Sequence, residues 1–209
     1  MAYACRKGLV PSRTLRIGLA CLLSFNELFR YFHDGMHFPN ELPLHLCTIA
    51  TWVTVIACLT LAPLAVEFAY FPGLLGASLA LINPDLPPRV QANFFSYECL
   101  RYIIEHGTLV IAISVLVFGG LARLRRTSLW WGNATFVVFG FSLLAFNAAF
   151  GTNYLYLYRK PLNPSLLDLF GPWPVYLMVS EVFAFTVFSL MWLPVRHLAK
   201  EVIPSEESR

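Results

Sequence analysis

The densest group of chemistry-bearing side chains lies inside one apolar stretch, where Glu98, Arg101, Glu105 and His106 fall within nine positions and are interleaved with Tyr97 and Tyr102. A charge at the centre of a membrane span costs about 2.5–3.5 kcal/mol on insertion scales, so each of these groups needs a reason to be there. Spacings of three and four residues place Glu98, Arg101, Tyr102, Glu105 and His106 on one side of a helix, with Arg101 in reach of both glutamates. That side is expected to face the interior of a bundle. Such a group fits a general base, His106, oriented and tuned by Arg101 and the glutamates, or a site for a polar headgroup. A charge network that only fixes helix packing uses the same residues. Glu181 and Glu27, each in an apolar surrounding, raise the question again.

A second group opens the next apolar run toward the N-terminus, Leu-Pro-Leu-His-Leu-Cys-Thr at residues 42–48. His45 and Thr48 are three apart, and Thr51 lies one turn beyond Cys47, so a His-Cys-Thr surface can point into a bundle. A cysteine near imidazoles is a nucleophile candidate, because the thiolate is the reactive form and a nearby imidazole raises its fraction. A cysteine in an apolar span also serves as a small hydrophobe, the reading given to Cys21, Cys58 and Cys99. If Cys47 is of that kind, Thr48 or a water activated by His106 takes its place. The five cysteines include no C-x-x-C pair, which argues against a disulfide framework or a zinc ribbon. His33 and His37 have helical i, i+4 spacing but no cysteine nearby, so no metal site is expected there. No cofactor is required by this chemistry.

The elements that must hold these groups are membrane helices. Of 209 residues, 57% are hydrophobic and 13% charged, against about 25% charged in a soluble domain. Apolar runs and the breakers between them predict an all-α, multi-pass bundle of about six spans, near residues 15–33, 43–62, 65–83, 94–120, 129–150 and 172–195. This single transmembrane domain, residues 1–200, leaves no room for a separate catalytic domain, and residues 201–209 read as a polar tail. The net charge of +3 comes from Lys and Arg gathered at a few loop positions, which fits orientation in a bilayer and not a nucleic-acid surface. Membrane lipids are the expected partners.

Arg6, Lys7, Arg13, Arg16, then Arg123, Arg125 and Arg126, then Arg196, Lys200 and Arg209 fall on one side of a six-span arrangement. The positive-inside rule then places both termini in the cytoplasm. His45, Cys47, Asp85, the start of the fourth helix and the long connection 151–174 share the outer half. That connection holds Tyr154, Tyr156, Tyr158 and Trp173, which suits a segment lying in the interface or re-entering the bundle. Gly73, Gly76, Ala77 and Ala80 in the third span are small residues at helical spacing, expected to let backbones approach.

Leu-Pro-Leu-His-Leu-Cys (42–47), Gly-Ala-Ser-Leu-Ala-Leu-Ile-Asn-Pro-Asp (76–85), Glu-His-Gly (105–107), Asn-Tyr (153–154), Lys-Pro (160–161), Ser-Leu-Leu-Asp (165–168) and Gly-Pro-Trp-Pro (171–174) occur in this order. The pattern resembles the bacterial YwaF-like integral membrane proteins from about Leu15 to Pro194. These in turn look like distant relatives of transmembrane protein 164, a lipid acyltransferase that carries its acyl group on a cysteine. The resemblance implies a bacterial inner-membrane protein of lipid metabolism, an acyltransferase or acyl hydrolase, with His106 carried over as its general base; beside it the residues themselves offer Cys47 as the acyl-accepting nucleophile and His45 as the group that orients it or donates to the oxyanion. Arg101, Glu105, Glu98, Asp85, Asn153 and Lys160 are the candidate substrate-binding residues, Arg101 or Lys160 by holding a lipid phosphate. In the eukaryotic pattern the cysteine immediately precedes the first histidine, where this chain has Leu44, so the catalytic cysteine itself is not carried over. Cys47, about one helical turn away, is the substitute candidate. YwaF-like proteins have a further N-terminal span, and this chain starts at their second. The rival expectation is a small transporter or lipid-binding protein using the Glu98, Arg101 and Glu105 network, or an accessory subunit.

Overall fold

A computed structural model describes residues 12–198; the basic residues before Ser12 and the polar tail lie outside the described residues. Among the described residues the chain forms helices α1 (Ser12–Asp34), α2 (Leu46–Thr60), α3 (Pro63–Ile82), α4 (Pro88–Gln91), α5 (Tyr97–Phe118), α6 (Ser128–Phe150) and α7 (Val175–Trp192), with short 3₁₀ turns and no strand. Each expected span has its helix. Four of them, α3, α5, α6 and α7, are long and apolar enough to cross a membrane, and the chain is an integral membrane protein. The other two fall short for different reasons. Arg13, Arg16, Glu27, Arg30 and Asp34 load α1 with charge. In α2, His45 becomes the N-cap, in extended backbone, and leaves only 15 helical residues, about 22 Å at 1.5 Å per residue.

The buried stripe of α1, Leu19, Ala20, Leu23 and Glu27, repeats at the spacing of one helix face and packs on α2 and α5. Arg16 ties the pair of helices further by donating from Nη1 to the Cys58 carbonyl at 2.8 Å. The centre of the core is α5, whose Leu109, Ala112, Ile113 and Leu116 are fully buried. Against it lie Ala57 and Cys58 of α2, Phe71 of α3 and Phe188 of α7.

Pro72 sits in the middle of α3, lacks an N–H and cannot hold an α-helical bond to the preceding turn. A π-helical turn, Ala69–Gly73, absorbs it and the helix continues to Ile82. The small residues that follow do what the sequence suggested. A Cβ on Gly73 would lie 3.4 Å from the Ala50 Cβ, and one on Gly76 would lie 3.0 Å from a Leu46 methyl. The start of α2, with His45 and Cys47, is thereby pressed against the second half of α3. On the other side of α3 the fit is tighter still, since a Cβ on Gly132 of α6 would fall 2.4 Å from the Phe71 ring.

Gly151, in left-handed backbone at φ +68°, ends α6, and the chain folds back over the bundle. Asn147 anchors the return: its Nδ2 donates to the Tyr154 carbonyl, and its Oδ1 accepts from Thr152 Oγ1 and the Tyr154 N–H. The Tyr154 side chain is buried. It accepts from the Leu42 N–H and donates to the Pro39 carbonyl, both at 2.8 Å. The connection is thus strapped across the entrance to α2, with Tyr154 inside and Trp173 exposed, its Nε1 donating to the Leu157 carbonyl.

Candidate functional site

Beneath that strap lies a cavity of about 970 Å³, at the upper end of the 300–1,000 Å³ typical of small-molecule sites. Its walls come from the start of α2, the second half of α3, the middle of α5, α6, α7 and the 151–174 connection, and they are predominantly apolar. Phe141 of α6 and Met178 of α7 line it and are 68% and 71% exposed.

Polar groups are few and concentrated. His45, Cys47, Asp85, Tyr102, His106 and Tyr156 all line this one cavity, so the two histidines and the cysteine singled out in the sequence share a chamber. Their placement follows from the packing described above. Gly76 against Leu46 sets His45 and Cys47 beside α3. Tyr102 donates from its hydroxyl to the Ala80 carbonyl at 3.1 Å, which fixes α5 to α3 one turn before His106.

His106 is 2% exposed. Its Nδ1 lies 2.8 Å from the Tyr102 carbonyl, an acceptor that requires Nδ1 to carry the proton. In the neutral ring Nε2 then holds the lone pair, the form a general base needs. The Tyr102 ring, 4.1 Å away between centroids and inclined by 33°, clamps the imidazole. His45 is held differently, between the rings of Tyr154 and Tyr156 at 5.0 and 6.4 Å.

Asp85 has no freedom to act alone. It accepts hydrogen bonds from the Tyr156 hydroxyl and from Asn163 Nδ2 at 2.7 Å, and so clasps the α3 exit to the strap. Burial first, and then the bond to Asp85, raises the Tyr156 phenol above its ordinary pKa and keeps it protonated. Leu155 and Tyr156 both line the cavity and both adopt left-handed backbone, at φ 59° and 54°. Two consecutive non-glycine residues in that region are strained, and such strain concentrates at functional sites.

The remaining candidates lie elsewhere. Glu105 is buried outside the cavity wall; its Oε2 accepts from Arg101 Nη1 at 2.7 Å and its Oε1 from Thr51 at 3.4 Å. Glu27, fully buried, stands within electrostatic range of Glu105. Its Oε1 takes both nitrogens offered by Arg30, and its Oε2 has no partner. Glu98 does not join this group. Ser96 caps α5 by accepting from the Cys99 N–H, which leaves Glu98 exposed in the first turn, and Arg101 turns only to Glu105. Asn153 fastens the strap from within, through Arg159 and Tyr158. Lys160 lies 3.9 Å from Asp168 and over the Tyr176 ring at 5.5 Å. Thr48 is buried away from the cavity. His33 and His37 are each bonded to a carboxylate, Asp34 and Glu41.

Two glutamates escaped full account in the sequence. Glu181 of α7 lines the cavity. Glu67 of α3 is 1% exposed and accepts from Nε and Nη2 along one edge of the Arg125 guanidinium and from Ser128 Oγ. Nothing in the spacing foretold that pair, since 58 residues separate its members and Arg125 read as a loop charge.

Comparison with known proteins places this architecture. The model of the TMEM164 family matches residues 4–192. An uncharacterized protein of Treponema pallidum (strain Nichols) is 30% identical over 168 residues, covering 78% of this chain and 66% of that protein. No solved structure matches the chain.

Proposed function

The chain belongs to the TMEM164 family, and we propose that it transfers or hydrolyses a fatty acyl group of a membrane lipid inside the cavity beneath the strap. The observation that carries this reading is the convergence of His106, Cys47 and His45 on one predominantly apolar cavity. An acyl chain enters sideways from the bilayer and lies along the apolar wall, with its ester at the polar end. Lipid tails are as apolar as that wall, so the chain itself gains little by moving in, and selection falls to the polar groups.

His106 Nε2 takes the proton of the Cys47 thiol as sulfur attacks the ester carbonyl carbon. The tetrahedral intermediate collapses by breaking the bond to the alcohol oxygen, which receives that proton and leaves. The acyl group remains on Cys47 as a thioester. An acceptor hydroxyl then attacks the thioester while His106 takes its proton; sulfur departs and is reprotonated. Water as the acceptor makes the same cycle a hydrolysis. His45, on the same cavity wall, donates to the carbonyl oxygen as charge develops. Arg101 and Glu105 act from behind α5 as positioning residues. The YwaF-like motifs support this assignment, as does the outer-half placement that the positive-inside rule gives to the strap.

The test follows a phospholipid with a labelled acyl chain in nanodiscs containing the purified protein. Label is expected in a new lipid or in free fatty acid, lost in His106→Gln. A Cys47→Ser protein that still releases free fatty acid makes His106 the base of a direct hydrolase. No turnover of any phospholipid by the wild type, or full activity in His106→Gln, overturns the proposal.

A further inference from the structure

Among the described residues two carboxylates line the cavity, Asp85 and Glu181, and the proposed chemistry uses neither. Glu181 lies in α7, six residues after Val175, about 9 Å along the axis at 1.5 Å per residue. Among the described residues it has no hydrogen-bond or ion-pair partner, in contrast to Glu27, Glu67 and Glu105, each of which holds an arginine. A carboxylate at that depth without a counter-ion is costly, and such groups pair or mark a ligand path.

The rest of the wall sharpens the point. No lysine or arginine lines the cavity among the described residues, while Asp85 and Glu181 both do. Asp85 is spent on Tyr156 and Asn163. The hydroxyl of Ser180 is spent on the Tyr176 carbonyl. What remains is a carboxyl group without a protein partner in a predominantly apolar chamber, which favours a ligand bearing a cation over one bearing a second carboxylate.

We infer that the cavity binds an amphiphile carrying a protonated amine, with the Glu181 carboxylate as its counter-ion and the apolar walls around its chain. The depth of Glu181 selects an amine borne directly on an aliphatic chain over one on a headgroup at the membrane surface. This rests on the cavity being the ligand site proposed above, but not on acyl transfer, because it concerns binding at equilibrium with no acyl donor present.

The experiment titrates the detergent-solubilised protein separately with hexadecylamine, hexadecanol and palmitate, and with a single-chain phospholipid bearing an ethanolamine headgroup, reading occupancy by native mass spectrometry. Hexadecylamine is expected to bind about ten-fold more tightly than hexadecanol, as a charge-assisted contact should, with palmitate weakest. Glu181→Gln is expected to remove that preference and leave hexadecanol binding unchanged, which also shows the variant to be folded. Equal binding of amine and alcohol by the wild type, absence of binding by either, or a preference that survives Glu181→Gln overturns the inference. Tighter, Glu181-dependent binding of the phospholipid than of hexadecylamine overturns the assignment to an amine on the chain and moves the amine to a headgroup. Loss of acyl turnover with an intact amine preference separates failure of the catalytic reading from failure of this one.

Discussion

Glu67 and Glu181 are the same residue type, each inside an apolar helix, and their surroundings differ in a way that assigns their roles. Glu67 accepts from Nε and Nη2 of the Arg125 guanidinium and from Ser128, so the carboxylate is saturated by the fold. Glu181 borders the cavity and receives nothing from any other described residue. A saturated buried charge pins α3 to the start of α6. An unsaturated one is a group the fold has left for something else. The distinction lies in partner accounting and not in burial alone, and it separates architecture from site within one small bundle.

Substitutions that exchange the two situations test the contrast. Glu67→Ala removes the buried carboxylate that holds the half-buried Arg125 guanidinium and Ser128, and a loss of about 3 kcal/mol is expected, seen as a lower midpoint of thermal unfolding in detergent. Gly132→Ala, also on the packed side, drives a methyl into the Phe71 ring; a cost of about 1–3 kcal/mol is expected from overpacking by the same assay. On the cavity side the effects on stability shrink. Gly140 lines the chamber, and a Cβ there meets nothing within 4 Å, so Gly140→Leu should fill the site, leave unfolding within about 0.5 kcal/mol of wild type and abolish lipid turnover. Glu181→Gln should shift stability least, by under about 0.5 kcal/mol. Equal destabilisation by Glu67→Ala and Glu181→Gln would erase the comparison.

The helices were legible because bilayer thickness imposes a length on every apolar run, and all six expected segments have helical counterparts. Their ends were less so. His45 caps α2 three residues after Leu42, and Ser96 begins α5 later than the apolar run does, which turns Glu98 outward. His106 and Cys47 could be picked out because polar groups in apolar surroundings are conspicuous and helical spacing gives their faces. That both reach one cavity depends on Gly76 meeting Leu46 and Tyr102 meeting Ala80, close approaches between distant segments that spacing does not encode. The Glu67–Arg125 pair was hidden for the same reason. The strap was legible only as an unusual composition. Its anchoring through Asn147 and Tyr154 arises from side chains that satisfy the backbone of an irregular segment, a requirement visible only when the chain path is known.

The proposed chemistry stands most directly on an acyl group carried by Cys47. Purified protein incubated with a phospholipid mixture and weighed intact, beside Cys47→Ser and His106→Gln, reads that step. A hydroxylamine-labile mass increment of one acyl chain is expected on the wild type, absent from Cys47→Ser and slow to form in His106→Gln. An increment that persists in Cys47→Ser, or a wild-type protein that gains no mass and leaves every phospholipid unchanged, would contradict it.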